Sequence, residues 1–461
     1  MATYRKPVPA RPLRIALISP RGPLYRHKTG IWKRSLRYAP LTLTTLAALI
    51  PEDLEAKVTL VDEGLEEVPE ELEADLIGIS AITGTAPRAY ELADRFRKQS
   101  IPVVLGGVHP TLMPDEAQQH ADAVVVGYAE ESWPRLLDDF CSGGLKARYV
   151  QDPALSLAGL PYAKRELLTA GRYSLVQTIE ATRGCLHGCE FCVVPTAWGG
   201  NLKRPVAEVI DEIRQMRTRR LLFLDLNLIA DTDYAKELFG ALIPLNLTWG
   251  GLVTTLITRD EELLNLIHQS GCRGLLLGFE SLSPPALRET RKGFNLKQDY
   301  TALVKRLHER GIAVMGCFVF GFDHDADSTF AETVDFVQEV DIDLPRYAIL
   351  TPFPATPLFK RLKHQGRILS EDWSLYDAQH VVFEPANMTP DHLFRGTEWA
   401  WKETYRYRSI FKRLAGARIQ LPVTLAANLG YRFYARHLHR YYTCDWGRLP
   451  APSTSAPAVP T

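Results

Sequence analysis

The sequence has no surplus of charge and no long apolar run, and each absence excludes a class of protein. It carries 54 basic and 54 acidic residues, so no overall field attracts a polyanion and we expect no nucleic-acid partner. No stretch is close to the roughly 18 uninterrupted apolar residues that a bilayer-spanning helix needs. The segment from Met1 to Arg14 is basic and rich in proline, which does not predict a secretory signal.

Cysteine is sparse and unevenly distributed. Four of the seven cysteines are scattered, which does not predict a set of disulfides: Cys141, Cys272, Cys317 and Cys444. The other three, Cys185, Cys189 and Cys192, lie in one short run, Cys-Leu-His-Gly-Cys-Glu-Phe-Cys. Thiolates that bind metal require a reducing compartment, so we expect a cytoplasmic protein.

The three clustered cysteines supply one thiolate fewer than a closed metal site needs. A structural zinc or a four-iron cluster normally takes four protein ligands, so three favour a [4Fe-4S] cluster with one iron open to a substrate. A zinc site would need a fourth ligand, and the local candidate, His187, is only two residues from Cys185. A redox pair of Cys189 and Cys192 would leave Cys185 without a role. Three buried structural thiols would have no reason to cluster.

The first 140 residues alternate short apolar runs with helical stretches. The runs cover residues 14–19, 57–62, 75–80, 102–105 and 123–127. Such runs predict a parallel sheet covered on both faces, and hence a doubly wound, Rossmann-like α/β domain over residues 1–150. The absence of Gly-x-Gly-x-x-Gly disfavours a dinucleotide. A ligand would bind beyond the carboxyl ends of the strands, near Ser80, Gly106, Gly107 and Gly127.

A linker over residues 151–173 leads to a second series of strands and helices over residues 174–375. We predict six strands, near residues 174–181, 220–228, 247–255, 273–281, 313–321 and 346–353. Six strand–helix units fall short of the eight that close a TIM barrel, so we predict a partial (β/α)6 barrel with an open side.

Two helices and the chain end carry clear local signals. A helix with Pro205 in its first turn would place Val206, Val209, Ile210 and Ile213 on one face. Thr329 and Glu332 predict a capping box, with Phe330, Val334 and Val337 on the inner face of the helix that follows. Residues 376–447 are predicted to be mostly helical, and residues 448–461, rich in proline, serine and alanine, to be disordered.

The spacing Cys-x-x-x-Cys-x-x-Cys, with Phe191 before the last cysteine, resembles the signature of the radical S-adenosylmethionine (SAM) superfamily. Segments 222–227 (LFLDLN), 278–281 (GFES, followed by Lys292) and 350–357 (LTPFPATP) resemble blocks of those members that carry an N-terminal cobalamin-binding domain. Segments 103–117 and 124–133 are similar to blocks of that domain itself. The resemblance covers residues 14–390.

The resemblance implies three cofactors: a [4Fe-4S] cluster on the three cysteines, SAM on the open iron, and cobalamin. In this family one electron from the cluster cleaves SAM to a 5′-deoxyadenosyl radical, which abstracts hydrogen from the substrate. Five residues are expected to frame SAM: Phe191, Asp225, Asn227, Glu280 and Ser281. Five are expected to contact cobalamin: Ser80, Gly106, Gly107, Gly127 and Glu130. The alternatives are helix caps or solvent-facing loop residues for the first set, and ordinary turn glycines for the second.

The sequence lacks the motif for a lower cobalt ligand. Cobalamin domains that supply a histidine use Asp-x-His-x-x-Gly, and the nearest match, Tyr25 to Gly30, has no aspartate to orient the imidazole. We therefore do not expect His27 to bind cobalt, and the lower face of the cobalt stays unassigned.

Residues 404–440 contain eight lysine or arginine residues, interleaved aromatics and no acidic residue. Such a segment fits a helix on an anionic membrane surface, peripheral to the inner face of the membrane, or a groove for an acidic or lipid-like substrate. Helices packed on the barrel with solvated arginines are the alternative.

Together these features predict a cobalamin-dependent radical SAM enzyme. We expect a methyltransferase that acts on an unactivated carbon of a hydrophobic, lipid-like or natural-product small molecule, with an electron donor such as flavodoxin or ferredoxin. The alternatives are a radical SAM enzyme of cyclisation, ring contraction or oxidation, and a non-catalytic iron–sulfur sensor.

Overall fold

A computed structural model describes residues 11–22, 38–152, 154–169, 171–173 and 176–437. His27, the end of the basic segment and the tail over residues 448–461 lie outside these ranges. The strands are β1 (Arg14–Ser19), β2 (Lys57–Asp62), β3 (Leu76–Ser80), β4 (Val103–Gly106), β5 (Ala123–Val126), β6 (Arg148–Val150), β7 (Gln177–Ile179), β8 (Thr182–Arg183), β9 (Leu202–Lys203), β10 (Arg220–Phe223), β11 (Thr248–Val253), β12 (Cys272–Glu280), β13 (Ala313–Phe320) and β14 (Arg346–Ile349).

The helices of the N-terminal sheet are α1 (Leu41–Ala48), α2 (Ala86–Lys98), α3 (Val108–Leu112), α4 (Pro114–His120) and α5 (Ser132–Cys141). Those that follow are α6 (Val193–Ala197), α7 (Val206–Met216), α8 (Thr232–Leu242), α9 (Glu261–Gln269), α10 (Pro284–Glu289), α11 (Tyr300–His308), α12 (Thr329–Glu339), α13 (Pro357–His364), α14 (Pro390–Thr404), α15 (Tyr407–Ala417) and α16 (Leu421–Arg436). Among the described helices, none has the length and apolar composition of a membrane span.

The first six strands form one parallel sheet in the order β2-β1-β3-β4-β5-β6. The inner residues of β1, from Ile15 to Ile18, are buried on both faces, which is what a sheet with helices on both sides requires. The order reverses between β1 and β3, and in doubly wound sheets a ligand binds at the carboxyl ends beside such a reversal. The predicted doubly wound fold is confirmed.

Six later strands form a second parallel sheet in the order β14-β13-β12-β11-β10-β7. Along β13 buried and half-buried residues alternate, because one face packs on helices and the other faces the interior of the curved sheet. Within the described residues no strand pairing joins β14 to β7. The predicted partial barrel is therefore confirmed.

Two helix starts differ from the predictions. Pro205 precedes α7 as its N-cap instead of lying in the first turn, although the expected apolar face is buried. The predicted capping box at α12 is wrong, because Ser328 is the N-cap and the hydroxyl of Thr329 accepts a hydrogen bond from the backbone N–H of Ala326 at 3.0 Å. The predicted inner face of α12 is nevertheless buried.

The N-terminal domain and the segment that follows the barrel contact each other through several side chains. Trp373, beyond the barrel strands, donates its indole N–H to Glu116 of α4 at 3.0 Å. Glu116 also accepts a hydrogen bond from Tyr90 at 2.9 Å and lies 3.3 Å from the fully buried His109. This polar cluster fixes the N-terminal domain against the segment that follows the barrel.

Candidate functional site

The three clustered cysteines lie in a loop at the carboxyl end of β7, as the sequence predicted. The loop, residues 184–200 (the cysteine loop), is enclosed by the antiparallel pair of β8 and β9. Gly184 opens it with a φ of +81°, and a Cβ there would lie 1.8 Å from the carbonyl oxygen of Gly200. Only glycine fits this position, which fixes where the loop leaves the sheet.

The thiols of Cys185, Cys189 and Cys192 are free and half-buried. Burial raises the pKa of Cys192 to about 11, and the neighbouring thiols of Cys189 and Cys185 also raise it, so the three groups interact. In the described ranges no three histidine, cysteine or acidic side chains form a site for a single ion. Three thiolates on three different irons of a cluster need not meet at one point, and this all-sulfur donor set fits an iron–sulfur cluster.

Asp225 binds the residues that lead into the cysteine loop. It is fully buried and accepts hydrogen bonds from the backbone N–H of Ala181 at 3.1 Å and from the hydroxyl of Thr182 at 2.7 Å. Burial raises the pKa of this carboxyl group to about 7. Both of its oxygens are enclosed and accept hydrogen bonds from the residues that lead into the loop, so the geometry gives Asp225 a positioning role, and its contact with SAM stays a prediction.

Asn227 and Phe191 are two further residues that the sequence predicts to frame SAM. Asn227 is buried, and its side-chain oxygen accepts no hydrogen bond within the described residues. Such an atom is expected where a ligand supplies the missing donor. Phe191 is half-buried beside Phe322, with ring centroids 6.3 Å apart, and forms an apolar wall next to Cys192.

Glu280 and Lys292 form a nearly buried ion pair beside the cysteine loop. Glu280 ends β12 at a bulge and has a φ of +63°, which turns its side chain out of the regular strand alternation. Burial raises the pKa of the Cys189 thiol, Lys292 lowers it and Glu280 raises it. Ser281 instead accepts a hydrogen bond from the backbone N–H of Ser283 at 3.0 Å, as an ordinary turn residue does before α10.

The outer side of the cysteine loop is held by contacts that the sequence did not reveal. The ring of His187 stacks on Phe294 with centroids 4.2 Å apart. The backbone N–H of Glu190 donates to the carbonyl of Thr290 at 3.1 Å, and its carboxylate accepts from Arg361 at 2.8 Å. The sequence offered one signal for these contacts, the basic residue Arg361 shortly after the LTPFPATP block.

A cavity of about 320 Å³ lies at the carboxyl ends of the N-terminal sheet and extends to the barrel. Its lining includes all five residues that the sequence predicted for cobalamin: Ser80, Gly106, Gly107, Gly127 and Glu130. Gly107 has a φ of +98°, and a Cβ there would lie 2.7 Å from the carbonyl oxygen of Ala81. Most of the remaining wall is apolar, with side chains such as Leu46 and Trp133. A large, mostly apolar group with a few polar substituents fits this lining.

A stack of side chains joins this cavity to the cysteine loop. Arg183, one residue before Gly184, forms an ion pair with Glu130 and another with Glu180. Its guanidinium lies over the ring of Tyr128, which stacks on Trp198 with centroids 4.8 Å apart. Sequence reasoning missed Arg183, Tyr128 and Trp198, although Arg183 directly precedes the motif.

The basic C-terminal segment divides into a buried and an exposed part. Arg413 is fully buried and donates to the carbonyls of Ile342 and Thr404 at 2.7 and 3.1 Å. Arg413 is therefore a structural residue and not part of a basic surface. Arg408 and Lys412 are exposed on the opposite side of α15.

Comparisons with known proteins agree with this geometry. The family model of the B12 binding domain matches residues 33–137, and that of the radical SAM superfamily matches residues 179–337. The chain is similar to the bacteriochlorophyllide d C-12(1)-methyltransferase of Chlorobaculum tepidum, with 34% identity over 82% of this chain and 85% of that protein. The bacteriochlorophyllide d C-8(2)-methyltransferase of the same organism is 29% identical over 81% of this chain and 87% of its own length.

A solved structure shows the same fold. The radical SAM methyltransferase TsrM from Kitasatospora setae, with cobalamin and a [4Fe-4S] cluster bound, superposes with a TM-score of 0.61 at 20% identity and covers 76% of this chain and 75% of its own. The cofactors of this enzyme family are a [4Fe-4S] cluster, SAM and cobalamin. The chain belongs to the radical SAM enzymes that carry an N-terminal B12-binding domain.

Proposed function

We propose that the protein transfers a methyl group to an unactivated carbon of a hydrophobic, ring-containing small molecule. The observation that carries this proposal is that one ion pair, Arg183 with Glu130, lines the cavity and adjoins the cysteine loop, the two places that we propose for cobalamin and the cluster. Both bacteriochlorophyllide methyltransferases are similar over most of the chain. Tetrapyrroles of the bacteriochlorophyllide type are therefore the first substrates to test.

The residues of the site divide the work. When bound, the cluster and SAM supply a 5′-deoxyadenosyl radical, and cobalamin carries the methyl group. Cys185, Cys189 and Cys192 hold the cluster. Glu280, fixed by Lys292, offers a carboxylate to the ammonium or ribose of SAM, a charge-assisted hydrogen bond that sets orientation.

The cobalamin side of the site works mainly by shape. Gly106, Gly107 and Gly127 let the backbone approach a large flat group closely, and Ser80 and Glu130 supply polar contacts. One carboxylate oxygen of Glu130 is buried without a hydrogen bond in the described residues, which leaves it available to a donor on the bound group.

The test is anaerobic turnover with SAM that carries a deuterated methyl group. We expect the product to gain a methyl group with its deuterium and 5′-deoxyadenosine to form alongside it. A product that lacks deuterium, formed together with 5′-deoxyadenosine, would reject methyl transfer in favour of cyclisation, ring contraction or oxidation. Failure to form 5′-deoxyadenosine with any reductant would reject a radical SAM reaction altogether.

We propose in addition that the protein takes its electron from a small carrier such as flavodoxin or ferredoxin.

We also propose that the protein contacts an anionic membrane through one face. Six of the thirteen large apolar side chains that are exposed in the described residues lie between positions 399 and 429. We define the outer helix face by five exposed side chains: Tyr407, Arg408, Phe411, Lys412 and Val423. Exposed apolar and basic side chains suit the interface of an anionic bilayer, although Asp341 lies against α15 near Lys412.

Cosedimentation with vesicles tests the membrane contact. We expect the protein to pellet with phosphatidylglycerol vesicles and not with phosphatidylcholine vesicles, and Phe411→Glu/Lys412→Glu to abolish this binding. Arg219→Glu/Arg220→Glu is the control, because these exposed arginines lie at the start of β10, four strands away from β14 in the sheet. Equal binding of the two variants would refute the contact.

A further inference from the structure

We propose that the surface around Leu186 is the docking site for a small acidic protein that delivers one electron to the cluster. The proposal rests on the proposed function, because only a cluster on the cysteine loop needs such a delivery. We define the docking face by four exposed side chains: Leu186, Arg288, Arg291 and Lys360.

The centre of the docking face is apolar and lies on the motif itself. Leu186 follows Cys185 directly and is 64% exposed, more than most large apolar side chains of this chain. The loop that carries it is anchored on both sides, by the stacking of His187 on Phe294 and by the hydrogen bonds of Glu190. An apolar side chain held rigidly in water next to a cluster ligand is a contact point for a partner.

The rim of the docking face is basic. Thr290 and Leu358 each form a backbone hydrogen bond to Glu190 of the cysteine loop, at 3.1 and 3.2 Å. Arg291 follows Thr290 directly, and Lys360 lies two residues beyond Leu358, so both side chains lie at the edge of the loop. Neither forms an ion pair with any described residue.

The acidic groups near the docking face are paired with arginine side chains. Arg361 pairs with Glu190 at 2.8 Å, with Glu289 at 2.7 Å and with Asp323 at 2.9 Å. Asp323 pairs with Arg367 as well. Arg361 and Arg367 balance two of the three carboxylates, and the exposed side chains of Arg288, Arg291 and Lys360 outnumber the one that is left.

This combination fits an acidic partner and not a general attraction, because the chain as a whole has no net charge. A local basic rim steers an acidic carrier to the surface next to Cys185, and the apolar centre excludes water from the contact. In the step itself one electron leaves the reduced carrier and enters the cluster. No bond forms or breaks, and the carrier is oxidised by that one electron.

The test measures binding of two probes, a bacterial flavodoxin and a [2Fe-2S] ferredoxin, to the full chain. We expect Arg288→Glu/Arg291→Glu to weaken binding about tenfold at low ionic strength, and salt to abolish the difference. Arg219→Glu/Arg220→Glu changes the net charge equally at the opposite end of the barrel and should leave binding unchanged. Both pairs are exposed and form no ion pair with the described residues, so neither substitution should disturb folding.

A second readout separates docking from chemistry. With reduced flavodoxin, the Arg288→Glu/Arg291→Glu protein should form 5′-deoxyadenosine about tenfold more slowly, whereas with dithionite its rate should match that of the unchanged protein. Equal binding by the two double variants, equal weakening of both, or no binding of either carrier to the unchanged chain would overturn the docking proposal. Loss of the dithionite reaction in the unchanged chain would instead overturn the proposed function.

Discussion

The cysteine loop and the cavity are positioned in different ways, although they adjoin each other. The loop is held by individual contacts: Asp225 bonds the residues that lead into it, Glu190 anchors its outer side, and Gly184 lies close to Gly200. The cavity is formed by apolar side chains from several strands and helices, with few polar groups among them.

This difference predicts how each site should respond to amino-acid substitution. A hydrogen-bonded loop depends on single groups, since a lost partner leaves a buried polar atom unsatisfied. An apolar wall spreads its contribution over many contacts, so one substitution changes it by degrees. We therefore expect abrupt losses in the loop and graded ones in the cavity.

The largest effect is expected at the ligands themselves. Cys185→Ala should leave two thiolates, which cannot hold the cluster in place, and SAM cleavage should be abolished. Anaerobic assays of 5′-deoxyadenosine and iron content measure this. The matched control is Cys141→Ala, a half-exposed free cysteine at the end of α5, which should retain both iron and activity. An active Cys185→Ala protein would refute the assignment of the loop.

Gly184→Ala should come next. The new Cβ would meet a carbonyl oxygen at 1.8 Å in a left-handed backbone conformation, so the loop must move, at a cost of about 3 kcal/mol or more. We expect iron retention after reconstitution to fall at least tenfold. Gly188→Ala, in the same loop with no atom within 4 Å of its added Cβ, is the control. Similar losses in both variants would show that the loop lacks the specific anchoring described above.

The bridge between the two regions should show intermediate behaviour. Arg183→Met would leave Glu130 as a buried carboxylate without its main partner, which should lower the free energy of unfolding by about 3 kcal/mol. Removing both charges in Arg183→Met/Glu130→Leu should recover most of this loss. Chemical denaturation of the three proteins forms a double-mutant cycle, and strictly additive losses would contradict a direct buried pair.

Sequence reasoning located the strands well because parallel buried strands are long apolar runs. The predictions for residues 14–19 and 57–62 match β1 and β2 exactly. It missed β6, since three residues, Arg148 to Val150, are too few to form a recognisable run. β6 is recognisable only in the folded sheet, where it pairs with β5 at the edge.

In the site, residues with a fixed chain position were predictable, and side-chain direction was not. The motif located the three cysteines, and strand ends located Asp225 and Glu280. The sequence could not show that Asp225 turns back to Ala181 while Glu280 turns towards the cysteine loop. That distinction depends on the bulge and the φ of +63° at Glu280, which form only when β12 pairs with β13.

A substitution in the cavity wall should have a graded effect. Leu46→Trp adds volume to the cavity lining and should weaken cobalamin binding about tenfold without changing iron content. Leu54→Trp is the control, because Leu54 packs on the same apolar cluster but does not line the cavity. Equilibrium binding of hydroxocobalamin measures both. Complete loss of binding in Leu46→Trp alone would show that the cavity is as sensitive as the loop.

The smallest effect is expected at Glu116. Its contact with Trp373 joins the two domains but lies outside both the cysteine loop and the cavity, so it serves as a reference for the effects above. Burial raises the pKa of this carboxyl group, but hydrogen bonds from His109, Tyr90 and Trp373 outweigh it and hold the pKa below the usual value. A lowered pKa stabilises the fold above the unfolded-state value and loses that contribution as the pH falls through the folded-state value. Glu116→Gln should therefore lower the free energy of unfolding by less than about 1 kcal/mol at neutral pH, and the difference from the unchanged protein should shrink below a pH of about 4. A difference that grows in acid would contradict the network, and iron and cobalamin binding should be unchanged throughout.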